Sequence, residues 1–189
     1  MHAMRDMPFA VDYLALTHSA GLLRTASEPF SRLPMVADPN RVVRDPGRLA
    51  GLRAAGLLDT DAEPVFDRLT TLAHQLLGVP LTMVTLIDED RQFVKSCVGL
   101  AEPWCTRRQM PLSHSLCQYA VALGEPFVVE DARSDPQLRD SPAITELGVV
   151  SYAGVPLVDS AGHALGAFCV CDFEPRRWTE GELALVAEL

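Results

Sequence analysis

The stretch Val149 to Asp172, VVSYAGVPLVDSAGHALGAFCVCD, constrains the fold of this chain more than any other. Two apolar runs flank the polar turn Asp159-Ser160-Ala161-Gly162-His163, and a glycine in a short polar connection supplies the positive-φ residue that lets two strands fold back as a hairpin. In the second run Leu165, Ala167, Cys169 and Cys171 point one way and Gly166, Phe168 and Val170 the other, so neither face turns polar before Asp172. A strand apolar on both faces is a central one, covered on both sides.

Other segments supply partners and covering layers. Leu81 to Ile87 and Gln92 to Val98 are β-rich runs joined by Asp88-Glu89-Asp90-Arg91, which predicts a second hairpin, and Phe127-Val128-Val129 reads as a short buried strand. Asp45-Pro46 is an N-cap followed by proline, opening a short helix through Leu49 and Leu52 to Gly56. Thr60-Asp61-Ala62-Glu63 has capping-box spacing, and Val65, Phe66, Leu69, Leu72, Ala73, Leu76 and Leu77 follow at helical intervals up to Gly78. Ser113 to Gly124 predicts a short helix, and Ser141-Pro142 caps another carrying Ile144 and Leu147 and ended by Gly148. At the C-terminal end Thr179 and Glu182 form a capping box, and Trp178 against Leu183 a hydrophobic staple. Gly99 to Leu112 reads as an irregular excursion.

Residues 1–44 show no clear period, and four prolines between Glu28 and Pro46 disfavour continuous structure. They are expected to be an extension or linker, with one short helix around Phe9 to Leu23, and the domain is expected to run from 45 to 189. At 189 residues the chain carries one sizeable core. Phe9 to Leu23 is interrupted by Asp12 and His18 and lacks a basic leader, so neither a spanning helix nor a signal peptide is expected. A formal charge of −9 would repel a phosphate backbone, and Arg107-Arg108 and Arg176-Arg177 are the only basic doublets, so nucleic acid is not an expected partner. Five cysteines without a CxxC pair fit a reducing cytoplasm. Cys169 and Cys171 lie two apart on one strand, with Cα atoms roughly 6.5 to 7 Å apart, and are expected to be free thiols.

The order helix, helix, strand pair, short helix, strand, short helix, strand pair, helix resembles the GAF domain, a small-molecule sensor module of signalling proteins. The residues that carry the resemblance run from about Arg48 to Leu189: Leu57-Leu58-Asp59-Thr60 with Phe66-Asp67-Arg68-Leu69, Gly78-Val79-Pro80, Asp90 to Ser96 with Gly99-Leu100, Ser115-Leu116-Cys117, Val129-Glu130-Asp131-Ala132, Tyr152 to Leu157, Leu165 to Asp172, and Trp178-Thr179. The subgroup is similar to modules upstream of histidine kinase, diguanylate cyclase or serine phosphatase domains. The resemblance implies an α+β fold: a central antiparallel sheet of five or six strands, terminal helices on one face that often dimerise, and a pocket on the other face roofed by the short helices.

Candidate chemistry is sparse. Cys97, Cys105, Cys117, Cys169, Cys171 and His114 lack paired zinc-ligand spacing, and buried cysteine usually behaves as a small hydrophobe. Bilin-binding relatives carry a His where this chain has Ile144, and Cys-His where it has Cys117-Gln118; haem through His114 has no better support. The cyclic-nucleotide signature of the family needs an Asn-Lys pair, but the only Lys is Lys95 and the only Asn is Asn40. Asp88, Glu89, Asp90, Asp131, Asp135 and Asp140 lack the alternating ligands of an EF-hand. His74 and His163 read as surface or helix-edge residues. No metal, cofactor or catalytic centre is expected.

The expectation is a non-catalytic cytoplasmic sensor binding an unknown small molecule, homodimeric through its terminal helices and coupled to an output domain such as a kinase, cyclase or phosphatase. The expected pocket comprises Tyr152, Gly154, Ile144, Leu147, Cys169 and Cys171, with His114 and Cys117 at its edge; the Tyr152 hydroxyl would be a polar handle in an apolar cavity. One alternative is a thiol-based redox protein or free methionine sulfoxide reductase using Cys105 and Cys117. By resemblance to that stand-alone GAF enzyme, the third cysteine expected between Asp131 and Gly148 is missing. Another is a degenerate GAF domain that only dimerises, its pocket filled by side chains.

Overall fold

A computed structural model describes residues 38–189. Most of the extension expected over 1–44, with its short helix at Phe9 to Leu23, lies outside the described residues. Among those described, six strands form one antiparallel sheet in the order β3-β2-β1-β6-β5-β4. The strands are β1 (Leu81–Ile87), β2 (Arg91–Val98), β3 (Gln109–Pro111), β4 (Phe127–Val129), β5 (Ser151–Val158) and β6 (Ala164–Asp172). Both predicted hairpins form, β1 with β2 and β5 with β6. β6 lies between β1 and β5, and all its residues but Asp172 are buried. The fold is the α+β architecture expected.

The two faces of β6 feed two cores. Ala167, Cys169 and Cys171 pack with Met83, Tyr152 and the short helix α5 (Cys117–Leu123), while Phe168 and Val170 pack with Val84, Ala153 and residues of the long helices. Those are α3 (Pro64–Leu77), through Ala73 and Leu77, and α7 (Glu180–Glu188), through Val186, with Trp178 closing the seam. Leu165 departs from its neighbours and joins Leu86 and Phe93 beneath Leu49 and Leu52 of α2 (Pro46–Ala54). The long helices thus cover one face and the short ones the other.

Two N-caps follow the sequence closely. Asp45 accepts from the Arg48 amide, and Thr179 with Glu182 makes a complete capping box. The predicted box at Thr60 does not form: α3 starts at Pro64, and its N-cap Glu63 makes no side-chain capping bond. A tertiary competitor takes both groups. A register shift in the β1–β2 ladder leaves Lys95 without a ladder partner, and its ammonium turns inward to Thr60 Oγ1 at 2.5 Å, Asp61 O at 2.8 Å and Glu63 Oε1 at 2.6 Å. A bulge re-aims a side chain in this way.

Three further departures bear on the site. The stretch read as irregular over Gly99 to Leu112 contains a single-turn helix, α4 (Trp104–Arg107), and the edge strand β3 paired to β2. The helix predicted over Ser113 to Gly124 starts only at Cys117, after a 3-10 turn at Leu112–His114. Upstream, within the stretch expected to be an extension or linker, residues 39–43 form a short helix, α1 (Pro39–Val43), whose Val43 is fully buried in the core with α5. Arg48 fastens it there: its buried guanidinium donates to Val43 O at 2.9 Å and to Ala164 O at 3.4 Å.

Candidate functional site

The sheet face under α5 leaves a small internal cavity. Its floor is Leu81, Met83, Tyr152 and Cys171 of the sheet, and its walls include Gln92, Leu100, Met110, Leu116 and Cys117. The roof is His114 of the 3-10 turn with Ala143 of α6 (Pro142–Thr145) and the neighbouring Leu147 and Val149. Ser141 shapes the roof: its hydroxyl accepts the Ala143 amide and donates to Ser113 O at 3.2 Å, joining α6 to the 3-10 turn. The volume is about 20 Å³. That is room for one or two water-sized groups, well below the several hundred Å³ of a typical cofactor site.

Of the eight expected pocket residues, Tyr152, Leu147, Cys171, His114 and Cys117 line this cavity. Cys169 is buried in the surrounding core and Ile144 packs half-buried against it, and neither reaches the lining. Gly154 has a different part: a Cβ there would collide with the Tyr152 phenol, so the missing side chain is what lets the ring lie across β5. Met83, Gln92, Leu100 and Met110 were not among the expected residues. They come from β1, β2, the connection after β2, and β3.

Tyr152 is the most unusual group here. It is 1% exposed, packs against the Phe127 ring at 5.6 Å, and its hydroxyl has no hydrogen-bond partner of acceptable geometry. Its polar neighbours are the thiols of Cys117, Cys169 and Cys171; burial first, then those thiols, push its pKa well above the ordinary tyrosine value. The phenol is therefore neutral, able to donate one hydrogen bond and accept another. Gln92, 1% exposed, is occupied instead, since its Oε1 accepts from Ser115 Oγ. At the mouth, His114 Nε2 lies 3.2 Å from Glu146 Oε2, its Nδ1 lies 3.1 Å from Ser113 Oγ, and the Trp104 ring stands 5.2 Å away.

The cysteines fall into two groups that differ from the pairing considered above. Cys117 Sγ lies 3.5 Å from Cys169 Sγ, both buried, whereas Cys105 Sγ lies 4.0 Å from Cys97 Sγ. Cys105 and Cys117 each have another cysteine as their sulfur neighbour. The hydrogen bond with Cys169, then burial, raise the pKa of Cys117 well above its ordinary value, which holds it as an unreactive thiol. Among the described residues, no cluster of three or more His, Cys, Asp or Glu is arranged to hold a metal ion, and no helix is long and apolar enough to cross a membrane.

Comparison with known proteins agrees with this architecture. The GAF domain profile matches residues 61–189, more than half of the chain. A cyclic di-GMP phosphodiesterase from Pseudomonas aeruginosa is 35% identical over 130 residues, covering 68% of this chain and only 21% of that protein. The GAF domain of an Acinetobacter phosphoenolpyruvate-protein phosphotransferase superposes with a TM-score of 0.55 at 17% identity, over 76% of this chain and 88% of that one. A free methionine-R-sulfoxide reductase from Neisseria meningitidis superposes at 0.52 and 20% identity, over 85% and 88% respectively. At such identities the structural likenesses speak for the fold alone. With the profile match, the six-stranded antiparallel sheet and the helices on both its faces, this chain belongs to the GAF domain family.

Proposed function

We propose that this GAF domain is a non-catalytic regulatory module that binds one small, uncharged molecule against Tyr152. The observation that carries this reading is Tyr152 in the lining of a cavity, its buried hydroxyl making no hydrogen bond of good geometry and having only cysteine thiols as polar neighbours. Leaving such a group unpaired costs about 1 to 3 kcal/mol, which a ligand atom accepting or donating one hydrogen bond would recover. No Arg or Lys lines the cavity, the one lining imidazole, His114, already faces the Glu146 carboxylate, and the other walls are largely apolar, so an anion such as a nucleotide phosphate is poorly matched there. Anything larger than a few heavy atoms requires the roof of α6 and His114 to lift. A ligand that favours one roof position would bias the sheet and, through it, α7, the helix through which we infer an output domain would be coupled. The phosphodiesterase relative is one kind of protein in which such a module would serve.

Native mass spectrometry of freshly purified protein, wild type against Tyr152→Phe, tests this. A small-molecule adduct is expected on the wild type and is expected to be lost in the variant. Because the hydroxyl makes no hydrogen bond of good geometry and thiols are weak partners, Tyr152→Phe without ligand is expected to keep wild-type stability to within about 0.5 kcal/mol. Absence of any adduct, with identical melting in cell extract and in buffer, would refute the sensor reading.

A second reading, dimerisation without a ligand, is favoured by how little of the cavity the side chains leave open. The outer side of α3 exposes Val65 at 45%, Leu72 at 42% and Leu76 at 57%, spaced so that they form one stripe. The sensor reading uses the same surface for pairing. Leu76→Asp is expected to turn a dimer into a monomer, read by light scattering, with little change in monomer stability since the side chain is already in water. A wild-type chain that is monomeric at high micromolar concentration would exclude this interface.

A further inference from the structure

The two pairs of neighbouring cysteine sulfurs differ in access. Cys117 and Cys169 are at most 1% exposed, and an oxidant in water cannot reach them. Cys105 is exposed on α4, and Cys97, at the end of β2, is half-buried behind it. The chain from Gly99 to Pro103 folds back so that these two sulfurs, eight residues apart in sequence, face one another at 4.0 Å.

We propose that Cys97 and Cys105 form a site of oxidative modification, closing to a reversible disulfide when hydrogen peroxide reaches Cys105. In the first step the Cys105 thiolate attacks a peroxide oxygen, the O–O bond breaks, and the departing hydroxide takes up a proton to leave as water, giving a sulfenic acid. In the second, Cys97 sulfur attacks the Cys105 sulfur, the S–O bond breaks, and the hydroxyl leaves as water with the proton from Cys97. Two thiols lose two electrons in all, and one peroxide becomes two waters.

The geometry permits closure. The sulfurs must approach from 4.0 Å to about 2.05 Å. Cys97 is paired with Met83 in the β1–β2 ladder, but α4 is a single turn with no buried residue, so α4 is the part that moves. The order of the steps also follows. Burial, then the charge and hydrogen bond of Cys105, push the Cys97 thiol up to about 12, against the pull of the Arg108 guanidinium. Once Cys105 is an uncharged sulfenic acid its repulsion is gone; burial and Asp67 still hold the Cys97 proton, and Arg108, anchored on Val94 O and Lys95 O, still favours its release. Cys97 is thus suited to resolve and Cys105 to react first. The bond would fix Trp104, whose ring rests on His114 at the cavity mouth.

Peptide mapping of the whole chain decides the matter, because cleavage after Lys95 and Arg107 leaves both cysteines in one peptide, Ser96 to Arg107. The reduced protein is exposed to hydrogen peroxide, blocked with N-ethylmaleimide and digested without reductant. This peptide is expected to become lighter by two hydrogens and to carry no label, and dithiothreitol is expected to restore two labelled thiols. Cys105→Ser, a change at an exposed site, is expected to leave Cys97 labelled after the same treatment. A Cys105 to Cys117 linkage, a chain-to-chain disulfide, or Cys105 oxidised to sulfinic acid beside a labelled Cys97 would each overturn the proposal. None of these results depends on whether the cavity takes a ligand.

Discussion

Gly166→Ala is expected to destabilise the domain by about 3 kcal/mol, a fall of roughly 6 to 12 °C in the thermal midpoint for a domain of this size. Gly166 stands in the central strand β6 opposite Leu86 of β1, and a Cβ there would collide with the Thr85 carbonyl oxygen and the Leu86 Cα. Both obstacles are backbone, so no rotamer change relieves the clash; the β1–β6 pairing itself has to open. Glycine inside a strand marks such close approach. Scanning calorimetry of Gly166→Ala beside Gly181→Ala checks the point. Gly181 lies in α7 with nothing within 4 Å of an added Cβ, and alanine there is expected to be neutral or stabilising by up to about 1 kcal/mol. A Gly166→Ala midpoint within a degree or two of wild type would mean that the central strands do not pack as described.

Lys95→Met is expected to cost about 2 kcal/mol and to loosen the connection between α2 and α3. Lys95 is the only lysine of the chain and is 1% exposed, and its ammonium holds Thr60, Asp61 and Glu63 together while lying 5.5 Å from the centre of the Phe66 ring. Methionine keeps the volume but gives up all three polar contacts. The desolvation cost of a buried ammonium is removed at the same time, which keeps the loss below the sum of its bonds. Glu63→Gln is expected to cost under about 1 kcal/mol, because the Glu63 side chain is 45% exposed and water replaces the ion pair. Hydrogen exchange over residues 56–63 distinguishes local loosening from global unfolding: faster exchange confined to this loop is expected for Lys95→Met. Unchanged protection there would show that the lysine is not what orders the loop.

These substitutions also mark where the sequence could and could not be read. The Thr179–Glu182 box forms because nothing else competes for its groups except Arg176, which bonds Glu182 without displacing Thr179. The same spacing at Thr60 and Glu63 yields no box, because an ammonium more than thirty residues further along takes both side chains. β3 escaped notice since a three-residue edge strand ending in Pro111 has almost no periodicity of its own; it exists through pairing with β2.

The cavity divides in the same way. Tyr152 and Cys171 share an inward face by strand alternation, and Leu147, His114 and Cys117 come from the short elements that roof it. Met83 lies in a β1 that is buried from end to end, so its pattern gave no hint of which face met the cavity, and Gln92 and Met110 are brought there by β2 and its pairing with β3.

The sequence by itself determined the hairpins, the central place of the CVC strand, the helix starts capped by Asp45, Ser141 and Thr179, and the two-layered cover, because alternation and capping act over a few residues. Tertiary structure alone decided which residues line the cavity, how little room it has, where Lys95 points and which cysteines meet. Those outcomes depend on packing between segments far apart in the chain, where the volume of one side chain decides the space left for another.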